Sequence, residues 1–449
     1  MTKPTSPATA EHRIVGRDWR GDPIEVELTS ERIHALRRLQ RGADVPDVTL
    51  LPGLHDHHVH LLAAAARADS IDVGACADRA AFARTLRAAH AARPGAPLRV
   101  VGYDDTAVGP LTRADLDALV GGAPVRVQHR GGHLWVLNSA ACARLRSGTD
   151  VPADGRFWDR DGDVAAGWTR DTDAAVRRVV ARMAGRGTVG ADDMTPTLRA
   201  EGARRLRRAV DGLLDLRVFG AVEDGGDADG VKLVVADHAL PTPEELAGAI
   251  ERARPARVAL HCATAETLAI IIATADRLLP GDRVEHAFVT PPGAAEALAS
   301  VASASVGAHP GFLRTHGDRH ARHGSAADVR AYQRLRTWHG AGVRLLGGTD
   351  APFSVEDPWV AMQAAVDRRT ATGQVLGEGE SLSPEEAFTL FVPGGLDDRG
   401  PRLDLEVGAP PALCGIAGRW ADVRTGLADV TVLSTLCAGV WTHGRPPEA

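Results

Sequence analysis

The stretch PGLHDHHVH, residues 52–60, places several histidines directly after an apolar run. Its last two histidines, His58 and His60, are two positions apart. Side chains at that spacing on a β-strand point to the same side, so both imidazoles could reach one metal ion. An arbitrary HxH pattern more often marks exposed or hydrogen-bonded histidines. The position of this pair at the end of an apolar strand favours a binding site instead.

Two later strand-like runs also end in histidine. His261 closes VALH, residues 258–261, and His286 lies in RVEHA, residues 283–287. One such residue alone is more often a core histidine. Two on successive parallel strands aim their imidazoles at the same edge of a sheet. Imidazole is a common ligand of Zn²⁺, and a catalytic zinc site keeps one coordination position open for water.

A late carboxylate follows a pair of glycines in the stretch VRLLGGTDAP, residues 343–352. Glycines allow the backbone to approach a site closely. Asp350 could instead cap the next helix. If its strand is the last of a closed barrel, Asp350 faces His58 and His60, where it could bind the metal and accept a proton from attacking water.

Lys232, in GVKLVV, stands near the start of an apolar strand. Such a lysine either extends its amine to solvent or is neutralised at an energetic cost. A buried lysine has a lowered pKa, and its neutral amine can react with carbon dioxide to give a carbamate that bridges two cations. Both alternatives stay open from the residues alone.

The elements that must position these residues alternate between short apolar runs and longer helix-like segments such as Pro243–Ala253 and Ala263–Leu279. This alternation is typical of repeated β–α units with a parallel sheet. The run Thr49–Leu54 precedes the first histidines and brings the number of strands to that of a closed (β/α)8 TIM barrel, whose active site lies at the strands' C-terminal ends. The other strand-like runs are Thr188–Asp192, Leu216–Phe219, Val231–Val235, Val258–His261, Arg283–Ala287, Ala304–Ala308 and Val343–Gly347.

Residues outside this alternation predict two additions to the barrel. An insert at about 67–186 follows the first strand and contains the strand-like runs Leu98–Tyr103 and Val125–Gln128. Short runs near the C-terminus, Val430–Leu433 and Ala438–Trp441, suggest a small β-subdomain that joins the two ends. We therefore expect residues 1–49 and 401–449 to form this composite subdomain and residues 50–400 to form the barrel.

The composition narrows the class of protein. With 44% hydrophobic and 24% charged residues, the chain is predicted to be soluble and globular, and it has neither a secretory signal pattern nor a membrane-length apolar span. A net charge of −6 without a basic run argues against nucleic acid and membrane partners. Five widely spaced cysteines fit a reducing cytoplasm. We expect a small-molecule substrate, with a homodimer as one alternative for the oligomeric state.

Taken in order, PGLHDHHVHL, GVKLVV, VALHC, RVEHA and GGTDAP resemble the amidohydrolase superfamily, specifically its YtcJ-like branch, amidohydrolase family 3. The resemblance covers nearly the whole chain. The stretch VRVQHRGGHLWVLNSA, residues 125–140, is similar to that branch's insert motif, and SPEEA, residues 383–387, resembles its late helix start.

This resemblance implies a (β/α)8 barrel with a composite β-subdomain and a site for one or two divalent cations, usually zinc. It implies that a first cation is held by His58, His60 and Asp350. A second is held by His261 and His286, and a carboxylated Lys232 bridges the two. The resemblance also places His133 beside the substrate.

The implied reaction is hydrolysis of a C–N bond, such as an N-acyl or N-formyl amide, by metal-activated water, with Asp350 as the proton acceptor. Two alternatives stay open: a deaminase, decarboxylase or isomerase on the same fold, and a non-catalytic protein stabilised by its metal. A nucleophilic Cys262 is disfavoured, because its side chain should point away from that of His261, into the core. The residues named as candidates to line a pocket are Tyr103, Trp135, His309, Phe312, Arg314 and Phe353.

Overall fold

The computed structural model describes residues 12–130, 134–158, 160–165, 172–221, 228–235, 237 and 239–445. Leu62–Ala175 forms one compact unit, and the rest of the chain forms the other. No helix in the described ranges is both long and apolar enough to cross a membrane.

The larger unit contains an eight-stranded parallel sheet that curls into a barrel, as predicted. Consecutive strands pair in chain order, and the last returns to the first. At this seam the Asp350 N–H donates to His58 O (2.7 Å) and the His60 N–H donates to Ala351 O (2.9 Å). The barrel strands are Leu54–Val59, Thr188–Asp193, Asp215–Gly220, Gly230–Val234, Arg257–Cys262, Arg283–His286, Ser305–Ala308 and Leu345–Gly347.

The expectation for the first barrel strand was wrong. Val48–Pro52 pairs with Leu413–Ala417 in a different sheet, and the barrel strand is Leu54–Val59, the histidine-rich stretch itself. Both strands are almost entirely buried, so an apolar run alone does not show where one sheet ends and the next begins. The polar side chains of the barrel strand are buried because partners satisfy them, for example His57 Nε2 with Val392 O at 2.9 Å.

Several helices around the barrel begin at a side-chain cap that the sequence encodes, such as Pro243–Ala253, Ala265–Ala273 and Pro384–Leu390. In Pro243–Ala253 the Thr242 side chain and Glu245 form a capping box, with proline in the first turn. The larger unit's helices are Ala200–Val210, Pro243–Ala253, Ala265–Ala273, Ala294–Val301, Phe312–His323, Ala326–Ala331, Leu335–Gly340, Pro358–Asp367, Pro384–Leu390 and Trp420–Val423, with 3-10 turns at Ala275–Arg277, Glu378–Glu380 and Leu427–Asp429. The two positions at which the chain passes from one unit to the other fall within two further helices, Leu61–Ala68 and Thr172–Ala184.

Along the fifth barrel strand, successive side chains point alternately to the hydrophobic core between strands and helices and to the interior of the barrel. Val258, Leu260 and Cys262 belong to the main hydrophobic core with helix residues such as Leu246 and Ile250. Burial raises the pKa of the Cys262 thiol to about 12. The thiol therefore points into the core, as expected, which leaves His261 for the barrel interior.

Strands from both chain ends form a seven-stranded sheet in the larger unit. In spatial order they are Val440–His443, Val432–Cys437, Leu413–Ala417, Val48–Pro52, His12–Arg17, Pro23–Leu28 and Ile33–Arg38. The predicted domain boundaries at 49/50 and 400/401 stay a prediction.

The smaller unit is built around a five-stranded sheet. Its strands, in spatial order, are Arg156–Trp158, Leu134–Leu137, Val125–His129, Leu98–Tyr103 and Ile71–Asp72. Its helices are Arg79–Ala92, Asp105–Val108, Arg113–Val120, Ser139–Cys142 and Asp161–Ala165.

Candidate metal centre

The His58–His60 pair lies at the C-terminal end of the first barrel strand, next to the residue that follows the last strand. His60 Nε2 is 3.2 Å from Asp350 Oδ1, and His58 Nε2 is 3.5 Å from the same oxygen. The two imidazole rings are 5.3 Å apart. One end of the barrel thus brings together the first and last of the predicted ligands.

The second ring nitrogen of each histidine is already engaged. His58 Nδ1 lies 2.6 Å from Glu285 Oε2, and His60 Nδ1 lies 3.2 Å from Thr195 Oγ1. Because an ionised carboxylate only accepts, the His58 Nδ1–H is the donor, which leaves Nε2 with a free lone pair. A metal-binding histidine is commonly oriented by such a carboxylate.

Two further histidines complete a compact group of potential ligands. One ligand atom from each of His58, His286, His309 and Asp350 lies within 4.8 Å of all the others, and all four residues are buried. His286 Nδ1 is 3.8 Å from Asp350 Oδ2, and the rings of His286 and His309 are 4.5 Å apart. Three imidazoles and a carboxylate are a donor set that suits zinc.

His261 and Lys232 adjoin this group. The His261 ring is 4.6 Å from that of His286, and the pKa of His261 is lowered to about 4, mainly by burial. Burial also lowers the pKa of Lys232 to about 8, although the negative charges of Glu285 and Asp350 act to raise it. Lys232 is therefore a buried lysine and does not extend to solvent.

Backbone geometry fixes Asp350 against the first strand. The Asp56 carboxylate accepts from the backbone N–H groups of His58 (3.2 Å) and Thr349 (2.9 Å), which ties the two strand ends together. A Cβ on Gly348 would lie 2.5 Å from His58 Cβ, so only glycine permits this approach. Asp350 and His286 both have positive φ, 52° and 74°. Such strained non-glycine residues cluster at functional sites.

Several buried polar atoms of this group lack a hydrogen-bond partner among the described residues. They are Lys232 Nζ, His286 Nδ1, His309 Nδ1 and Asp350 Oδ1. An unsatisfied buried polar atom costs about 1–3 kcal/mol. Burial holds the pKa of His58 and His286 well below the usual value, so both imidazoles are neutral, as metal ligands must be. The residues present therefore fit a divalent cation.

A second buried cluster, His55, His57 and Asp192, does not fit one. Asp192 already has two guanidinium partners: Arg283 Nη1 at 2.7 Å and Arg217 Nε at 2.8 Å. Despite burial, His55, His57 and Arg283 keep the pKa of Asp192 well below its usual value. This cluster is a charge network inside the barrel. A third group of potential ligands, Asp104, Asp105 and His129, lies in the smaller unit. There Asp104 forms an ion pair with Arg130 at 2.6 Å.

The predicted ligands His58, His60, Lys232, His261, His286 and Asp350 thus lie at one end of the barrel, and their roles stay predictions. His133 lies outside the described residues. Sequence reasoning missed Glu285, although RVEHA contains it, and assigned His309 only to a pocket wall. A signal for His309 is its position after the apolar strand Ser305–Ala308.

The other five residues predicted to line a pocket fall into three groups. Phe312 lies 6.4 Å from the His309 ring, and the exposed Phe353 lies 5.3 Å from the His60 ring. Arg314 is paired with Asp367 at 2.7 Å. Tyr103 and Trp135 are buried in the smaller unit.

A family model described as the amidohydrolase family matches residues 44–395 of the chain. No curated protein matches the chain.

Solved structures share the fold at low sequence identity. An uncharacterized metal-dependent hydrolase from Pyrococcus horikoshii matches with a TM-score of 0.68 and 17% identity over 84% of this chain and 90% of that one. One from Pyrococcus furiosus gives 0.65 and 19%, over 84% and 92%. Atrazine chlorohydrolase from Arthrobacter aurescens, complexed with zinc, gives 0.53 and 13%, over 97% of each chain.

Proposed function

Because this chain belongs to the amidohydrolase family, we propose that it is a metal-dependent hydrolase that cleaves a C–N bond of a small molecule, of the amide, N-acyl or N-formyl type. The observation that carries this proposal is the buried group of His58, His286, His309 and Asp350 at the C-terminal end of the barrel. Barrel enzymes carry their active sites at that end.

Zinc is the proposed cation, because imidazole and carboxylate donors suit it and one structural neighbour is complexed with zinc. His58, His60 and Asp350 would hold a divalent cation, which would lower the pKa of water to near neutral. His286 and His261, with a carboxylated Lys232 between the two sets, are the proposed holders of a second cation. His309 adds a donor beside them.

Asp350 is the proposed general base and acid. Its Oδ1 lies among the imidazoles without a hydrogen-bond partner in the described part of the chain, so it can accept a proton from water as water attacks the carbonyl carbon. The same carboxyl would then donate that proton to the departing nitrogen. His133 is the proposed substrate contact. The YtcJ-like branch and a cytoplasmic location are also proposals, the latter supported by five free cysteines.

Metal content is the first test. Protein purified without an affinity-tag metal should contain one or two equivalents of zinc by elemental mass spectrometry, and chelation should lower its melting temperature. ¹³C NMR after incubation with labelled bicarbonate should show a carbamate signal that Lys232→Ala lacks. A protein that binds no divalent cation and is equally stable with and without chelator would refute the metal centre.

Asp350→Asn separates catalysis from binding. We expect hydrolysis of N-formyl or N-acyl amides to fall by at least about 100-fold, the lower range for loss of a general base. Zinc content should fall less than in His286→Ala. Near-wild-type hydrolysis by zinc-loaded Asp350→Asn would refute the assigned role. Ammonia as the product from a ring amine would instead indicate a deaminase.

A further inference from the structure

A cavity of about 370 Å³ opens beside the metal centre, along the helix Phe312–His323. This helix follows the seventh barrel strand and the buried His309. The volume lies within the range of small-molecule sites. Its walls combine aromatic rings with basic side chains, a pairing that the proposed hydrolysis does not itself require.

The aromatic wall is continuous with the histidines of the centre. The Phe288 ring lies 5.0 Å from that of His286, and it also lies 4.7 Å from Phe312 and 6.1 Å from Tyr332. A group seated against these rings would therefore also be next to His286. Aromatic faces of this kind bury apolar parts of a ligand.

The opposite wall is basic. His316, Arg319, His320 and His323 line the cavity, and their spacing of three, four and seven residues places them on one helix face. His316 stacks on Phe312 at 4.9 Å, and His320 stacks on Tyr332 at 4.0 Å. Phe312, which stacks on His316, also lies 6.4 Å from the His309 ring of the metal centre. The two sites are therefore neighbours.

No carboxylate among the described residues lines this cavity. The helix's own acid, Asp318, is held elsewhere by Thr370 and Thr372. Arg319 is exposed, and it has neither a salt bridge nor a hydrogen bond to the described part of the chain. His320 Nε2 is buried and also lacks a hydrogen-bond partner there. The cavity thus presents one fixed positive charge and one unsatisfied ring nitrogen.

We infer that this cavity is a substrate subsite in which Arg319 binds an anionic group, a carboxylate or phosphonate, while Phe288, Phe312 and Tyr332 hold an apolar or aromatic side chain. Arginine is suited to bidentate recognition of such oxygens. The inference rests on the proposed function and narrows its substrates to anionic N-acyl compounds with an aromatic or large apolar group.

Binding of compounds that cannot be hydrolysed tests the subsite without turnover. Zinc-loaded protein is titrated by calorimetry with hydrocinnamate, phenethylphosphonate and the neutral hydrocinnamyl alcohol. We expect at least one anion to bind roughly 10- to 100-fold more tightly than the alcohol, as expected for a hydrogen bond to a charged group. The tighter of the two anions identifies the preferred headgroup.

Arg319→Gln should remove this preference, and Arg322→Gln is the matched control. Arg322 is on the same helix but does not line the cavity. Among the described residues it donates only to Asp318 O, at 3.2 Å. If the anions bind Arg319→Gln as tightly as wild type, they bind the zinc directly and the inference is wrong. Equal binding of anions and alcohol to the wild type also overturns it.

Kinetics then connect the subsite to turnover. For N-formylphenylalanine, Arg319→Gln should raise KM by roughly 10- to 100-fold with little change in kcat, because the contact is equal in ground and transition states. KM for the corresponding carboxamide should be unchanged. Anion binding that depends on Arg319 in a protein that hydrolyses no amide would support the subsite and refute the proposed function.

Discussion

Glu285→Gln tests whether the carboxylate behind His58 determines metal affinity. In the wild type, Glu285 Oε2 accepts the His58 Nδ1–H at 2.6 Å, while Oε1 lies 2.7 Å from Arg283 Nε. Glutamine keeps the shape of the side chain but removes its charge. Glutamine and glutamate are nearly the same size, so the substitution creates no cavity in this tightly packed site, where a Cβ on Gly307 would collide with Glu285 Oε2.

The magnitude follows from what the substitution leaves intact. Loss of the group that hydrogen-bonds to a metal-binding histidine and orients it typically weakens metal affinity by roughly 10- to 100-fold. This factor corresponds to about 1.4–2.7 kcal/mol. Arg283 retains Asp192 at 2.7 Å and His57 O at 2.6 Å, so it does not become an unpaired buried charge. The metal-free stability should therefore change less than the metal affinity.

The assay is a competition titration of zinc against a chelator, combined with calorimetric unfolding with and without zinc. We expect the zinc-induced rise in stability to shrink by the same 1–3 kcal/mol or so that affinity loses. Glu386→Gln is the control, because Glu386 makes two bonds to Arg336, at 2.8 and 2.7 Å, outside the metal centre. Zinc affinity equal to wild type in Glu285→Gln would refute the orienting role.

Three further predictions concern the seam, acid stability and thiol reactivity. Gly348→Ala should weaken zinc binding by at least about tenfold and lower the melting temperature, because its Cβ would contact His58; unchanged zinc affinity would show that the seam has room to relax. Arg336 lowers the pKa of Glu386 to about 2, so the carboxylate stabilises the fold above its usual pKa, and this contribution is lost as pH falls towards 2. The stability difference of about 1–3 kcal/mol between wild type and Glu386→Gln should thus vanish in acid urea titrations, and a pH-independent difference would contradict this. Buried Cys262 should resist a thiol reagent until the protein unfolds, whereas rapid labelling of Cys262 in the native protein would contradict its placement in the core.

Much of the barrel was predictable because its strands and helices are encoded locally. The helix Pro243–Ala253 was predicted with its observed bounds, since Thr242, proline and Glu245 mark its start. In the smaller unit, the strand Leu98–Tyr103 was likewise found as predicted. The first barrel strand was misplaced because hydropathy does not distinguish two successive buried strands. Its polar residues are buried only through partners that are distant in sequence.

The sequence predicted only part of the metal centre, for a related reason. His58, His261 and His286 each end a strand-like run, and Asp350 follows glycines, so local pattern identified them. Glu285 carries no such signal, because its neighbour His286 should point to the opposite side of a regular strand. The positive φ of His286 departs from that rule, and only three-dimensional structure shows it. The resemblance to a family supplied the roles, which sequence spacing alone left open.

The seam between His58 and Asp350 has a consequence for biosynthesis. The two residues that meet there are encoded almost three hundred positions apart, so a growing polypeptide emerging from the ribosome cannot assemble the centre until its eighth strand has been made. Contacts of such long sequence separation form slowly. Cation capture should therefore be among the last events of maturation, and truncated chains ending before Leu345 should leave their imidazoles without the closing carboxylate.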